Sequence, residues 1–266
     1  MKNILVFLHN DREQEARLQV AIDLTRQLSG HLICLDIVIP PEWGDESITR
    51  WGLSTLLQLA REGEASNKSA IEKRMASEGV SWEMLGVTGD PGDEIPRAIG
   101  FADLVILTSQ APSHDLDHAL RIAGEVIVKA KRPVLVVPPK CRGFDPCGKV
   151  LVAWDGEAEA NEAMRAAVPL LEKAYGVTVL QFNGPGGPLE LDDAVGYLRR
   201  YGINSGPLSR ETDDRIADAI LERAQEEGAR YVVMGAYGSG RIPEAIFGGV
   251  TKRLLRESNV PLLVFH

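Results

Sequence analysis

Two stretches of this chain repeat each other. Arg132-Pro133-Val134-Leu135-Val136-Val137 is echoed by Val260-Pro261-Leu262-Leu263-Val264-Phe265, and Ile4-Leu5-Val6 by Val150-Leu151-Val152. Between each opening and closing run, short apolar stretches alternate with segments whose apolar residues recur at helical spacing. Strands that are apolar on both faces, each followed by a helix, belong to a parallel sheet covered by helices on both sides. The repeat therefore predicts two tandem five-stranded α/β units.

The first unit reads as strand 4–8, helix 11–28 stopped by Gly30, strand 31–39, helix 55–77, strand 81–87, helix 93–99, strand 104–107, helix 116–129 and strand 133–137. The second opens with strand 150–153, helix 158–174 (which Pro169 should kink) with Gly176 as its stop, and strand 177–182. It closes with strand 231–234, helix 250–256 and strand 261–265. The first unit is the longer, and most of the surplus fits an insertion at 40–54 that carries Trp43 and Trp51. The segment 138–146, with three prolines and a glycine and no period, reads as a linker. The expected domains are 1–140 and 149–266. The closing strands 133–137 and 261–265 would each be an exposed apolar edge if left alone, which predicts that the units pack together through them.

Composition narrows the function. With 44% apolar and 25% charged residues among 266, the chain is an ordinary globular protein. A net charge of -9 argues against binding a phosphate backbone. No apolar run is long enough to span a membrane. Three cysteines without a CxxC pair fit a reduced, cytoplasmic chain.

Familiar catalytic patterns fail. There is no GxSxG. The GxxxxGK at 143–149 has Val150 where a P-loop needs Ser or Thr, and it precedes a strand instead of following one. His114-Asp115-Leu116-Asp117-His118 could hold zinc, but a polar helix start explains it better. No catalytic residue and no metal ligand is expected. The glycines after strand 231–234 stand out. Gly235-Ala236-Tyr237-Gly238 is followed, after nine intervening residues, by Gly248-Gly249-Val250-Thr251 at a helix start. Such glycines let backbone approach a ligand, and free N–H groups at a helix start favour a phosphate. Two tight turns would explain the same spacing.

That segment resembles the Gly-2x-Gly-9x-Gly-[Ser/Thr] signature of the universal stress protein family. The likeness extends to Val260-Pro261-Leu262-Leu263-Val264 and to Val150-Leu151-Val152-Ala153-Trp154-Asp155-Gly156, which is similar to that family's first strand and its acidic end. The resemblance implies a tandem member with Rossmann-like, adenine-nucleotide α-hydrolase-like domains packed as a pseudo-dimer, and an ATP, ADP or AMP site in the second half. Carried over by position, Asp155 would hold the ribose, while Ala153, Trp154, Phe182 and Met234 would surround the adenine. Gly235, Gly238, Gly248, Gly249, Val250 and Thr251 would receive the phosphates, with Tyr237 and Arg241 in the same loop. Gly249 stands where the family has Ser or Thr, so a hydroxyl ligand is missing.

The first half departs further. His9 corresponds to Asp155, Thr108-Ser109-Gln110-Ala111 to the glycine loop, and Leu120-Arg121 to Gly248-Gly249, which predicts no nucleotide there. Gly89-Asp90-Pro91 reads as a structural turn. The leading expectation is a cytoplasmic stress-response protein that binds an adenine nucleotide as a signalling module and self-associates through its terminal strands, with neither nucleic acid nor membrane as partner. The alternatives are an interaction module without nucleotide and, less well supported, a slow ATP hydrolase or nucleotidyl transferase.

Overall fold

The computed structural model describes residues 1–40, 50–108, 116–184, 188–212, 215–236 and 249–266. The first half runs β1 (Asn3–Leu8), α1 (Gln14–Leu28), β2 (His31–Val38), α2 (Arg50–Glu78), β3 (Ser81–Thr88), α3 (Pro91–Ala98), β4 (Leu104–Thr108), α4 (Leu116–Ala130) and β5 (Val134–Val137). The second runs β6 (Lys149–Ala153), α5 (Ala158–Leu171), β7 (Gly176–Phe182), α6 (Leu191–Arg200), β8 (Ser205–Arg210), α7 (Ile216–Glu227), β9 (Tyr231–Gly235), α8 (Gly249–Glu257) and β10 (Leu262–Phe265).

All ten strands form one sheet in the order β3-β2-β1-β4-β5-β10-β9-β6-β7-β8. Pairing is parallel within each half, and β5 meets β10 antiparallel, with Leu262 opposite Val136 and Val264 opposite Val134. This join leaves neither terminal strand with a free edge. Self-association through those strands, expected from the sequence, therefore has no unpaired backbone to use. The sheet's own edges are β3 and β8. Their residues are mostly half-buried or exposed, whereas β4, β5 and most of β1 and β10 are buried throughout.

Side chains alternate between two cores. Val150, Val152, Tyr231 and Val233 face α5 and α6. Leu151, Val232, Met234 and Val264 face α7 and α8. Several local expectations change. Ser29, at φ 47°, ends α1 in the left-handed region. Gly30 instead allows close packing, since a Cβ there would fall 2.5 Å from the Lys2 carbonyl oxygen. α5 passes through Pro169 and ends at Leu171, short of Gly176, which is the first residue of β7. α2 is 29 residues long against 10 for its counterpart α6. Part of the expected insertion is thus helix from Arg50 onward, and 41–49 lie outside the described residues. The turn at Gly89-Asp90-Pro91 is structural: the Asp90 side chain accepts from the Gly92 N–H at 2.8 Å and caps α3, with Pro91 opening the helix.

Candidate functional site

In an open parallel sheet, the crevice for a ligand lies beyond the carboxyl ends of the strands, where neighbouring connections leave to opposite faces. In the second half that point falls between β6 and β9, which pair from Val150–Tyr231 to Ala153–Met234. Asp155 lies two residues beyond the end of β6 and is exposed. Its Oδ1 accepts from the Glu157 N–H at 3.0 Å, which turns the chain through Gly156 (φ 86°) into α5. Ala153, Phe182 and Met234 all lie on the α7/α8 face. α8 begins on the same face with Gly249 and Val250 exposed and Thr251 buried. The fold thus brings Ala153, Phe182, Met234 and the start of α8 to one side of the sheet, with Asp155 at the tip of β6.

Trp154 does not join them. Its ring lies in the opposite core beneath α5, 2% exposed, and its Nε1 donates to Asn161 Oδ1 at 2.8 Å. The alternation Val150, Val152, Trp154 carries that signal in the sequence. Gly235 also has a structural reason to be glycine. A Cβ there would sit 2.5 Å from the Ala160 backbone nitrogen, so the residue lets α5 close onto the end of β9. Gly249 has open space around it, and its φ lies outside the left-handed region. Gly238, Gly248, Tyr237 and Arg241 lie outside the described residues, as does the side-chain cluster at 114–118. Among the described residues no group of three or more Cys, His, Asp or Glu could hold a metal. No described helix is long and apolar enough to cross a membrane. A cavity of about 460 Å³ at the opposite end of the sheet, lined by Cys141, Phe144, Arg230 and Pro261 among others, is remote from the crevice.

The equivalent crevice in the first half, between β1 and β4, is filled by the protein itself. Arg17, fully buried, donates from Nε to the Phe7 carbonyl (2.9 Å), from Nη1 to Thr108 Oγ1 (3.0 Å) and from Nη2 to Asp11 Oδ2 (2.7 Å). Its guanidinium lies 4.9 Å from the centre of the Phe7 ring, which in turn stacks on His9. His9 Nδ1 is 2.7 Å from Glu64 Oε1, a buried carboxylate supplied by α2. The phosphate corner is occupied too. Leu120 is fully buried, and Arg121 reaches Glu125 at 2.5 Å and Asp90 at 3.6 Å. Sequence reading missed Arg17, although it shares a helical stripe with Ala21, Leu24 and Leu28. It also missed Glu64, whose partner is 55 positions distant by number (His9 to Glu64) and so leaves no local pattern.

A doubly wound sheet with its crevice at the β6/β9 switch point and a helix start beside it is an α/β fold of the kind that takes its ligands at that point. The model of the universal stress protein family matches residues 1–138 and 209–266, and the chain belongs to that family. It is 31% identical over 151 residues to universal stress protein Slr1230 of Synechocystis sp., covering 53% of this chain and 49% of that protein. It is 26% identical over 135 residues to universal stress protein Rv2623 of Mycobacterium tuberculosis, covering 46% and 44%. The chain spans about half the length of the curated relatives it matches. Its fold resembles that of a universal stress protein from Archaeoglobus fulgidus with a TM-score of 0.76 over 99% of this chain and 95% of the other, at 18% identity.

Proposed function

We propose that the second half binds an adenine nucleotide, ATP, ADP or AMP, and that the protein acts as a cytoplasmic binding and signalling module with 1–140 and 149–266 as its domains. The observation that carries this reading is the contrast between the crevices. Where the first half has Phe7, His9 and Arg17, the second has Ala153, Asp155 and the small, buried Ala163. On this reading the adenine lies against Ala153, Phe182 and Met234, and Trp154 supports the site from behind. The second Asp155 oxygen accepts from the ribose hydroxyls, and the N–H groups of Gly249, Val250 and Thr251 face the phosphates, as helix starts do. Gly238 and Gly248 would complete the phosphate loop.

A nucleotide-free interaction module is the second reading. It is favoured by the packing role of Gly235 and by the missing hydroxyl at Gly249. Titration of the full chain with ATP separates the two. Asp155→Asn keeps the Oδ1 acceptor for the turn but puts a donor where the ribose needs an acceptor. It should weaken ATP at least about tenfold, or 1.4 kcal/mol, while His9→Gln leaves affinity unchanged. No saturable binding, or equal effects of the two substitutions, overturns the assignment.

A further inference from the structure

The first-half crevice holds a buried group of titratable side chains that the proposed nucleotide site does not use. Glu64 is 4% exposed and Asp36, on β2, is 5% exposed. Glu64 Oε1 meets His9 Nδ1 at 2.7 Å and accepts from the Asn10 N–H at 3.2 Å, and Oε2 accepts from Asn67 Nδ2 at 3.2 Å. Asp36 lies against Glu64, so that two buried carboxyls crowd one site and a proton on Asp36 relieves their repulsion, and its Oδ1 has no hydrogen-bond partner among the described residues. The same strand position in the second half is Gln181, which is buried but does not titrate. Counted back from the helix ends, Glu64 lies on turns that α6 lacks. The long α2 is therefore tied to the sheet through these groups.

We propose that His9, Asp36 and Glu64 form a proton-operated latch that fastens α2 over the first-half crevice and loosens as the surroundings turn alkaline.

The surrounding charges act both ways. Asp11 raises His9, and Arg17 reaches the His9 carbonyl at 3.4 Å from the α1 side. Lys68 of α2 and His9 itself pull Asp36 down by less than burial and Glu64 push it up, and β3 places Gly86 opposite Asp36. Burial, and after it the charge of Glu64, push Asp36 from 3.8 up to about 6. A raised carboxyl stabilises the closed arrangement fully below its ordinary value, and that contribution is lost as pH climbs through about 6. Burial acts downward on His9, but the hydrogen bond and charge of Glu64 outweigh it, so the group is raised above 6.5. Its contribution is complete below 6.5 and is lost as pH rises through the raised value. Burial acts upward on Glu64 and is outweighed by the His9 hydrogen bond and charge. Glu64 is thus lowered, and its contribution disappears only as pH falls through a value under 4.5. The latch is therefore tightest at about pH 5 and weakest on the alkaline side.

Hydrogen exchange of the full chain, corrected for the intrinsic pH dependence of exchange, reads this directly. Protection of α2 amides should be about tenfold greater at pH 5 than at pH 8, the factor expected for a carboxyl raised to about 6. Amides of α6, above Gln181, should show no such change and serve as the control within the same molecule. Asp36→Asn should flatten the α2 profile. The idea is overturned by a flat or alkaline-strengthened α2 profile in the unaltered protein, by an equal change in α6, or by an unchanged slope in Asp36→Asn. Should that variant not fold, carboxyl titration of the unaltered protein decides: Asp36 must titrate well above 3.8.

Discussion

The two halves of this protein place the same strands in the same order and treat the crevice at the carboxyl ends in opposite ways. After β1 the chain fills it. Phe7, His9, Arg17 and Thr108 form a packed, hydrogen-bonded plug, and Glu64 closes it from above. After β6 the corresponding residues are Ala153, Asp155, Ala163 and Gly235, all small or exposed. A buried cation fixed by an anion and by strand-end carbonyls rigidifies an interior, whereas small residues and free helix-start N–H groups leave room for something else. The two halves share one scaffold, and side-chain volume and charge at a handful of positions set them apart.

The largest test of that comparison strikes the plug. Asp11 and Arg17 both have fully buried side chains in their ion pair. Removing only the cation leaves an uncompensated carboxylate, a loss of roughly 3–5 kcal/mol. Arg17→Met should thus lower the denaturation midpoint sharply. Asp11→Asn added to it should recover much of the loss, because the orphaned charge is gone. Chemical denaturation of the single and double variants checks this. A mild Arg17→Met effect would mean that the crevice is held shut by packing alone.

Next in size is Gly235. If glycine stands there for close approach of α5, Gly235→Ala must push the Ala160 backbone away, at a cost of about 1–3 kcal/mol as overpacked cores show. The loss should appear with no ligand present. A variant of unchanged stability but reduced ATP binding would reverse the reading and give Gly235 a purely ligand-facing role.

Much of this was legible in the sequence because it is periodic. Buried strands such as 104–107 and 134–137 are unbroken apolar runs, and the repeat itself gave both the unit and its copy number. β8, by contrast, reads Ser-Gly-Pro-Leu-Ser-Arg. It is an edge strand that needs pairing on one side only, so it carries neither alternation nor β-branched residues and gives no local signal. α6 and α7 went unread with it. At the site, Asp155 and the helix start at Gly249 were visible, since a motif marks them. The plug was not, because it joins α1, α2, β1, β2 and β4 through side chains whose meeting depends on the folded sheet. Trp154 shows the reverse error. The family resemblance, carried over by position, set Trp154 against the adenine, whereas the two-residue period of β6 assigns it to the other face.

The smallest effect concerns the corner where the family carries a hydroxyl and this chain carries Gly249. In the first half the same corner is closed by Leu120 and by Arg121 with its carboxylate partners, so no single substitution there would open it. In the second half Gly249 is exposed at the start of α8, a Cβ would meet nothing within 4 Å, and its φ is one that any residue adopts. Serine can thus be introduced without strain. Its hydroxyl adds a donor toward a phosphate, and a hydrogen bond to a charged group is worth roughly 1.5–3 kcal/mol. Ordering the side chain offsets part of that, which leaves an expected gain of about 3- to 30-fold in ATP affinity at ~1.4 kcal/mol per factor of ten. Serine is also the better helix N-terminal residue, so stability should hold or rise slightly. Calorimetric titration of the two proteins with ATP and with AMP sharpens the comparison further. A gain for ATP that shrinks for AMP puts the corner at the outer phosphates, whereas an equal gain moves it beside the α-phosphate. No gain for either nucleotide, with the fold intact, would mean that the start of α8 does not face a phosphate and that the two crevices differ less than their side chains suggest.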